Sequence, residues 1–200
     1  MNHQLRRLRP PLAAFPTGGW LERLRFVASI GGLAFFFRWA LGGLGFYAAV
    51  AALGAWDVTS RRSRDHWANR ALLYYVFFIC GVGGIWNAIG HSVLARRVAE
   101  SIGWPPGSPF QLELAAAHGG WALVALASPW AHPEVIAAVV VSKAVFLFGA
   151  AAVHLADLAL TGNQSPGNAG FAVLYFGDIG VPLATLILWT IGRRRHPSDQ

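Results

Sequence analysis

His154 and Asp157 stand three residues apart in a long apolar run, so on a helix they are neighbours on one face. A carboxylate beside an imidazole fixes the ring's tautomer and orientation, which acid–base catalysis and metal ligation both require. Lys143, eleven residues before His154, is rotated from it by only about 20° on a helix. Lys143, His154 and Asp157 therefore form one polar stripe. Other ionisable groups sit in equally apolar surroundings: His91, Glu113, His118, Asp178 and Arg38. Asn87 lies one helical turn before His91.

Two chemistries suit this set. In acid–base chemistry on a small lipophilic, isoprenoid-like molecule, Asp178 or Glu113 is the proton donor, and His154, oriented by Asp157, is the base. Asn87, His91, His118, Arg38, Lys143, Asn163 and Asn168 support the site or contact the substrate. Alternatively, His91, His118, His154, Glu113, Asp157 and Asp178 are donors suited to zinc, iron or manganese, which makes a metal ion the candidate cofactor of a metal- or haem-binding protein. No HExxH or ExxH spacing accompanies them. Intramembrane acids and histidines also serve proton-coupled transporters, and small bundles act as non-catalytic subunits of membrane complexes.

The elements that position these residues follow from composition. The chain has 200 residues, 55% hydrophobic and 12% charged, against about 25% charged in soluble domains. This excludes a soluble globular protein and implies an all-α integral membrane helical bundle. The net charge of +7 comes almost entirely from Arg, and points to lipid headgroups rather than nucleic acid. Cys80 is the only cysteine, which excludes an internal disulfide; it reads as a small packing residue.

A helix needs about 20 apolar residues to cross a bilayer. Five transmembrane helices are expected on that basis, at 33–56, 71–91, 110–130, 134–160 and 169–191. A basic interfacial segment (1–32) precedes the bundle (33–191), and a basic tail (192–200) follows it. Trp39, Trp56, Tyr74, Tyr75, Trp104, Trp130 and Trp189 lie near the span ends, as interfacial belts do. Ser108, Pro109 and Gln111 read as a capping box that starts the third span, with Gln111 as a cap. Pro166 and Gly167 read as a type II turn, and Asn168 as the cap of the fifth span. Seven Arg fall on each side of such a bundle, so positive charge assigns no orientation.

Alternating spans place Asn87, His91, Glu113, His118, His154 and Asp157 in one half of the bilayer, with Asp178 near the midplane. A charge at the centre of a spanning helix costs about 3 kcal/mol on insertion scales. Glu113, His154 and Asp178 are therefore expected to converge on one buried polar cavity. The bilayer is the expected partner; a second copy or a membrane complex is a candidate one.

The stretches "IGWPPGSPFQLE" and "VHLADLALTGNQSPGNAGFAVLYFGDIG" resemble those of a family of small, uncharacterised bacterial polytopic membrane proteins. The resemblance covers about 91–185, leaving the first span outside. It implies a multi-pass protein of the bacterial inner membrane and assigns no activity.

Overall fold

The computed structural model describes residues 67–194 and positions 45, 48–52, 54 and 55. Among these, all regular structure is helical and no strand occurs. Helix α1 is Trp67–Ser92, α2 is Ala95–Ile102, and α3 is Phe110–Leu126, followed by a 3₁₀ turn at Ser128–Trp130. Helix α4 is Pro133–Thr161 and α5 is the short Pro166–Ala169. Helix α6 comprises Phe171–Gly180 and its continuation Val181–Arg194.

Three helical stretches are long and apolar enough to cross a membrane: Trp67–Ser92, Pro133–Thr161 and Pro166–Gly192. They coincide within a few residues with the second, fourth and fifth expected spans. The third expected span is shorter than predicted. Helix α3 has 17 residues, below the roughly 20 that a crossing takes. Pro129 is the reason: it has no N–H to continue the ladder and disfavours helical geometry at Ser128. The chain turns there, with Trp130 N–H on Ala127 O at 3.0 Å. Most of the first span, with Arg38, segment 1–32 and the tail beyond residue 194, lies outside the described residues. Three such helices among the described residues are compatible with a multi-pass membrane protein.

Two stretches are wound as π-helix rather than α-helix: Tyr75–Val82 within α1 and Phe171–Gly180 opening α6. Their i→i−5 pattern ends with Gly83 N–H on Phe78 O and Val181 N–H on Phe176 O. After Phe171–Gly180 comes Pro182, which cannot donate to Asp178 O, so the α register cannot run unbroken through Asp178.

Helices α1 and α3 are antiparallel and approach closely at Gly84, where a Cβ would come 2.9 Å from Ala122 Cβ. Buried Ala115, His118, Ala122 and Ala125 form the inner stripe of α3. The main apolar core joins Leu72, Leu73, Val76 and Cys80 of α1 to Ala125 of α3 and to Ile136, Val139 and Val140 of α4. It thus occupies the half of the bundle nearest the start of α4, and the polar side chains gather beyond it. Cys80 is a buried packing residue, as expected.

Helix α2 packs on α5. A Cβ at Gly167 would meet Ser101 O at 2.7 Å and Ile102 N at 2.9 Å. That close approach explains the glycine, which has no positive φ. The expected type II turn is therefore absent. Ser165 O instead accepts from the N–H groups of Asn168 and Ala169, and Pro166 opens a helical turn.

Candidate functional site

His154 is 8% exposed and lies on the buried stripe of α4, which runs through Lys143, Leu147 and Ala151. Its Nδ1 is 2.7 Å from Asn168 Oδ1. The Asn168 amide is fixed by its other end, because Nδ2 donates to Asn163 O at 2.8 Å. Oδ1 therefore faces the ring as an acceptor, and His154 Nδ1 must carry the hydrogen. In neutral His154 the free lone pair is then on Nε2. That atom faces Asp178 Oδ2 at 3.8 Å, too far for a hydrogen bond. Both groups therefore retain a free position toward the space beside them. Asp178 is 9% exposed and sits in the π-helical part of α6.

Trp104 closes the other side of His154, its ring stacked at 5.5 Å between centroids. Gly103, with φ of +83°, ends α2 and turns the chain so that Trp104 folds back over α4. Trp104 Nε1–H donates to Asp157 Oδ2 at 2.9 Å, and Asn163 Nδ2 donates to the same oxygen at 2.7 Å. Thr161 Oγ1 lies 3.0 Å from Asp157 Oδ1. Asn163 Nδ2 also donates to Ile102 O at 2.8 Å. Asp157 thus fastens Trp104 and the α4–α5 turn around the imidazole. The expected orientation of His154 by Asp157 is corrected: Asn168 orients the ring, and Asp157 acts through Trp104.

A second cluster lies deeper along α4. Lys143, the only lysine of the chain, has its Nζ 3.0 Å from His118 Nδ1. The ammonium also lies over the rings of Trp121 and Phe146, at 4.9 and 5.0 Å. His118 stacks on His91 at 5.5 Å, and His91 Nδ1 pairs with Gln111 Oε1. Burial of Lys143 and His118 is nearly complete.

Two cavities connect the clusters. One, of about 370 Å³, is lined by Lys143, Asp178, Asn87, Cys80, Tyr75 and Thr185 among others. The other, of about 590 Å³, borders His91, His118, His154, Asp178 and Trp104, with apolar Leu114, Phe146, Leu147 and Val153. Asp178, Asn87, Leu147 and Val173 belong to both walls. Asp178 therefore stands where the two spaces meet.

Glu113 does not join this arrangement. It is exposed on α3, about 140° around the helix from His118, so its expected convergence with His154 and Asp178 is corrected. Gln111 takes the inward position and reaches His91 rather than capping its own helix. Ser108 supplies only the weak cap contact from Phe110 N–H, at 3.3 Å. Asn168, read as a helix cap, is fully buried and anchors His154. Trp104, read as part of an interfacial belt, packs on the imidazole. The expected metal set does not assemble: among the described residues no group of three or more His, Cys, Asp or Glu could hold a metal ion. Glu113 is turned outward, His118 Nδ1 faces a lysine, and both Asp157 oxygens are already partnered.

No curated protein and no solved structure matches the chain. One family does, described as a family of unknown function, DUF6790, over residues 33–198. The match is wider than the 91–185 resemblance and takes in the first hydrophobic segment, which is thus part of the family region rather than an addition. With 166 of 200 residues inside that match, the chain belongs to the DUF6790 family.

Proposed function

We propose that this membrane protein is an enzyme that adds and removes protons on a small lipophilic, isoprenoid-like molecule, with Asp178 as acid and His154 as base. The observation that carries this reading is the pair itself. A carboxyl and an imidazole of assigned tautomer face each other at 3.8 Å, nearly buried, on the wall of a largely apolar cavity of about 590 Å³. That volume suits a small organic ligand.

In this reading the substrate lies against Leu147, Phe146 and Val153, with its reacting carbons beside Asp178 and His154 on the same cavity wall. Asp178 delivers a proton to one carbon of a double bond. His154 Nε2 removes a proton from a neighbouring carbon, and its Nδ1–H, held by Asn168, stabilises the imidazolium that forms. The shift of the double bond leaves Asp178 as carboxylate and His154 as imidazolium, and return of the Nε2 proton to Asp178 resets the pair. Low polarity around the pair keeps water from competing.

The test uses purified protein in vesicles made from a total lipid extract of the expression host, in deuterated water. Mass spectrometry should show solvent deuterium entering one lipid species. Asp178→Asn and His154→Gln should each lower the rate by about a hundredfold, the usual scale for loss of a general acid or base. Equal exchange in wild type and both variants, or exchange in no species, would count against the proposal.

The row His91–His118–Lys143, continuing across the cavities to Asp178 and His154, favours a second reading: proton conduction in a transporter. Proton flux across the vesicles that is lost in His118→Ala, without deuterium entering any lipid, would select it.

A further inference from the structure

Lys143 is not used by the proton-transfer pair, yet it carries the features of a nucleophile rather than of a simple counter-charge. It is the only lysine in the chain and is nearly buried at 7% exposure. Its Nζ does not end on a carboxylate. Its nearest polar partner is the ring nitrogen of His118, at 3.0 Å, which holds the amine in place. Trp121 and Phe146 keep the rest of its surroundings apolar. On the open side it borders the cavity of about 370 Å³, with Asp178 on the same wall. Desolvating a lysine in an apolar pocket is how a protein makes an amine attack a carbonyl.

We infer that Lys143 forms a Schiff base with a lipophilic aldehyde or ketone that enters this cavity. The inference rests on the proposed proton-transfer function and specifies its substrate class: a carbonyl compound activated as an iminium beside Asp178. The step balances. Burial favours the neutral amine, whose Nζ lone pair bonds to the carbonyl carbon while the C=O π pair moves to oxygen. A proton passes from nitrogen to that oxygen to give the carbinolamine. Asp178 protonates the hydroxyl, which leaves as water, and the nitrogen lone pair closes the C=N bond. Asp178, now a carboxylate, is the counter-charge of the iminium.

The experiment treats the intact protein in detergent micelles with n-decanal and sodium cyanoborohydride, which reduces an iminium to a stable secondary amine. Peptide mass mapping then locates the decyl group. The expected result is alkylation of Lys143 at least about tenfold faster than of a free lysine analogue in the same micelles. His118→Gln and Asp178→Asn should each slow it about tenfold with Lys143 still in place, and Lys143→Arg should leave that peptide unmodified. Alkylation of Lys143 no faster than the free analogue, or none at all, would overturn the inference and leave Lys143 a structural cation. Solvent deuterium exchange that depends on Asp178 and His154 without any trapping at Lys143 defeats the carbonyl assignment alone. Exchange indifferent to those two residues defeats the proton-transfer reading, whatever happens at the lysine.

Discussion

The amide of Asn168 decides which nitrogen of His154 is free. One end of that amide is committed to Asn163 O, so the other can only accept. Asn168→Ala removes both bonds in a fully buried place and leaves the imidazole unanchored. The expected cost is about 1–3 kcal/mol, the usual penalty for a buried group left without its partner, together with a loss of deuterium exchange. Asn168→Asp keeps the acceptor for His154 and should recover part of the exchange, though not the stability. Thermal unfolding in detergent and the exchange assay read the two effects separately. At this scale the sequence is informative about charge and weak on neutral polar groups. His118, Lys143, His154 and Asp178 stand out because an ionisable group in an apolar run is costly and needs a reason. Gln111, Trp104 and Asn168 carry no such penalty and are each explained locally, as a cap or as an interfacial ring. Their partners lie on other helices, which spacing along one helix cannot reveal.

Elements decide which of these residues meet. The contact of α2 with α5 rests on the missing side chain at Gly167, where an added methyl meets backbone atoms that have little room to yield. Gly167→Ala should therefore destabilise the fold by about 1–3 kcal/mol, the range for overpacking. Because Gly167 adjoins Asn168, the same variant should disturb the His154 site. A thermal shift smaller than that of Gly120→Ala, where a Cβ meets nothing, would show that the contact is not tight. Periodicity located the three long apolar helices within a few residues, since length and hydropathy alone define them. It failed where register changes. Residues of the π-helical turns do not follow the 100° wheel, so the face presented by Asp178 could not be read from spacing. Glu113 failed for a simpler reason. Its position near a helix start was legible, but which face of α3 turns inward depends on the small residues packed against α1.

Among the described residues an apolar core fills one half and a polar cluster the other, and Cys80 is packed in the core at its border with the Lys143 cavity. A water-soluble maleimide should leave Cys80 unmodified in the membrane and react with it after denaturation in SDS. In a Cys80→Ala background, Glu113→Cys and Arg97→Cys should both label readily and from the same side of sealed vesicles. Labelling of the two from opposite sides would break the antiparallel arrangement of α1 and α3 that brings His91 to His118. The length of α4 adds a constraint of its own. Its 29 residues at about 1.5 Å each make a rod of roughly 44 Å, against a hydrocarbon slab of about 30 Å. Even leaning at about 40°, the far limit for such helices, the rod overhangs the slab. At least one end therefore emerges among the headgroups, and Glu134 and Asp157, one near each tip, are the carboxylates positioned to be wetted there.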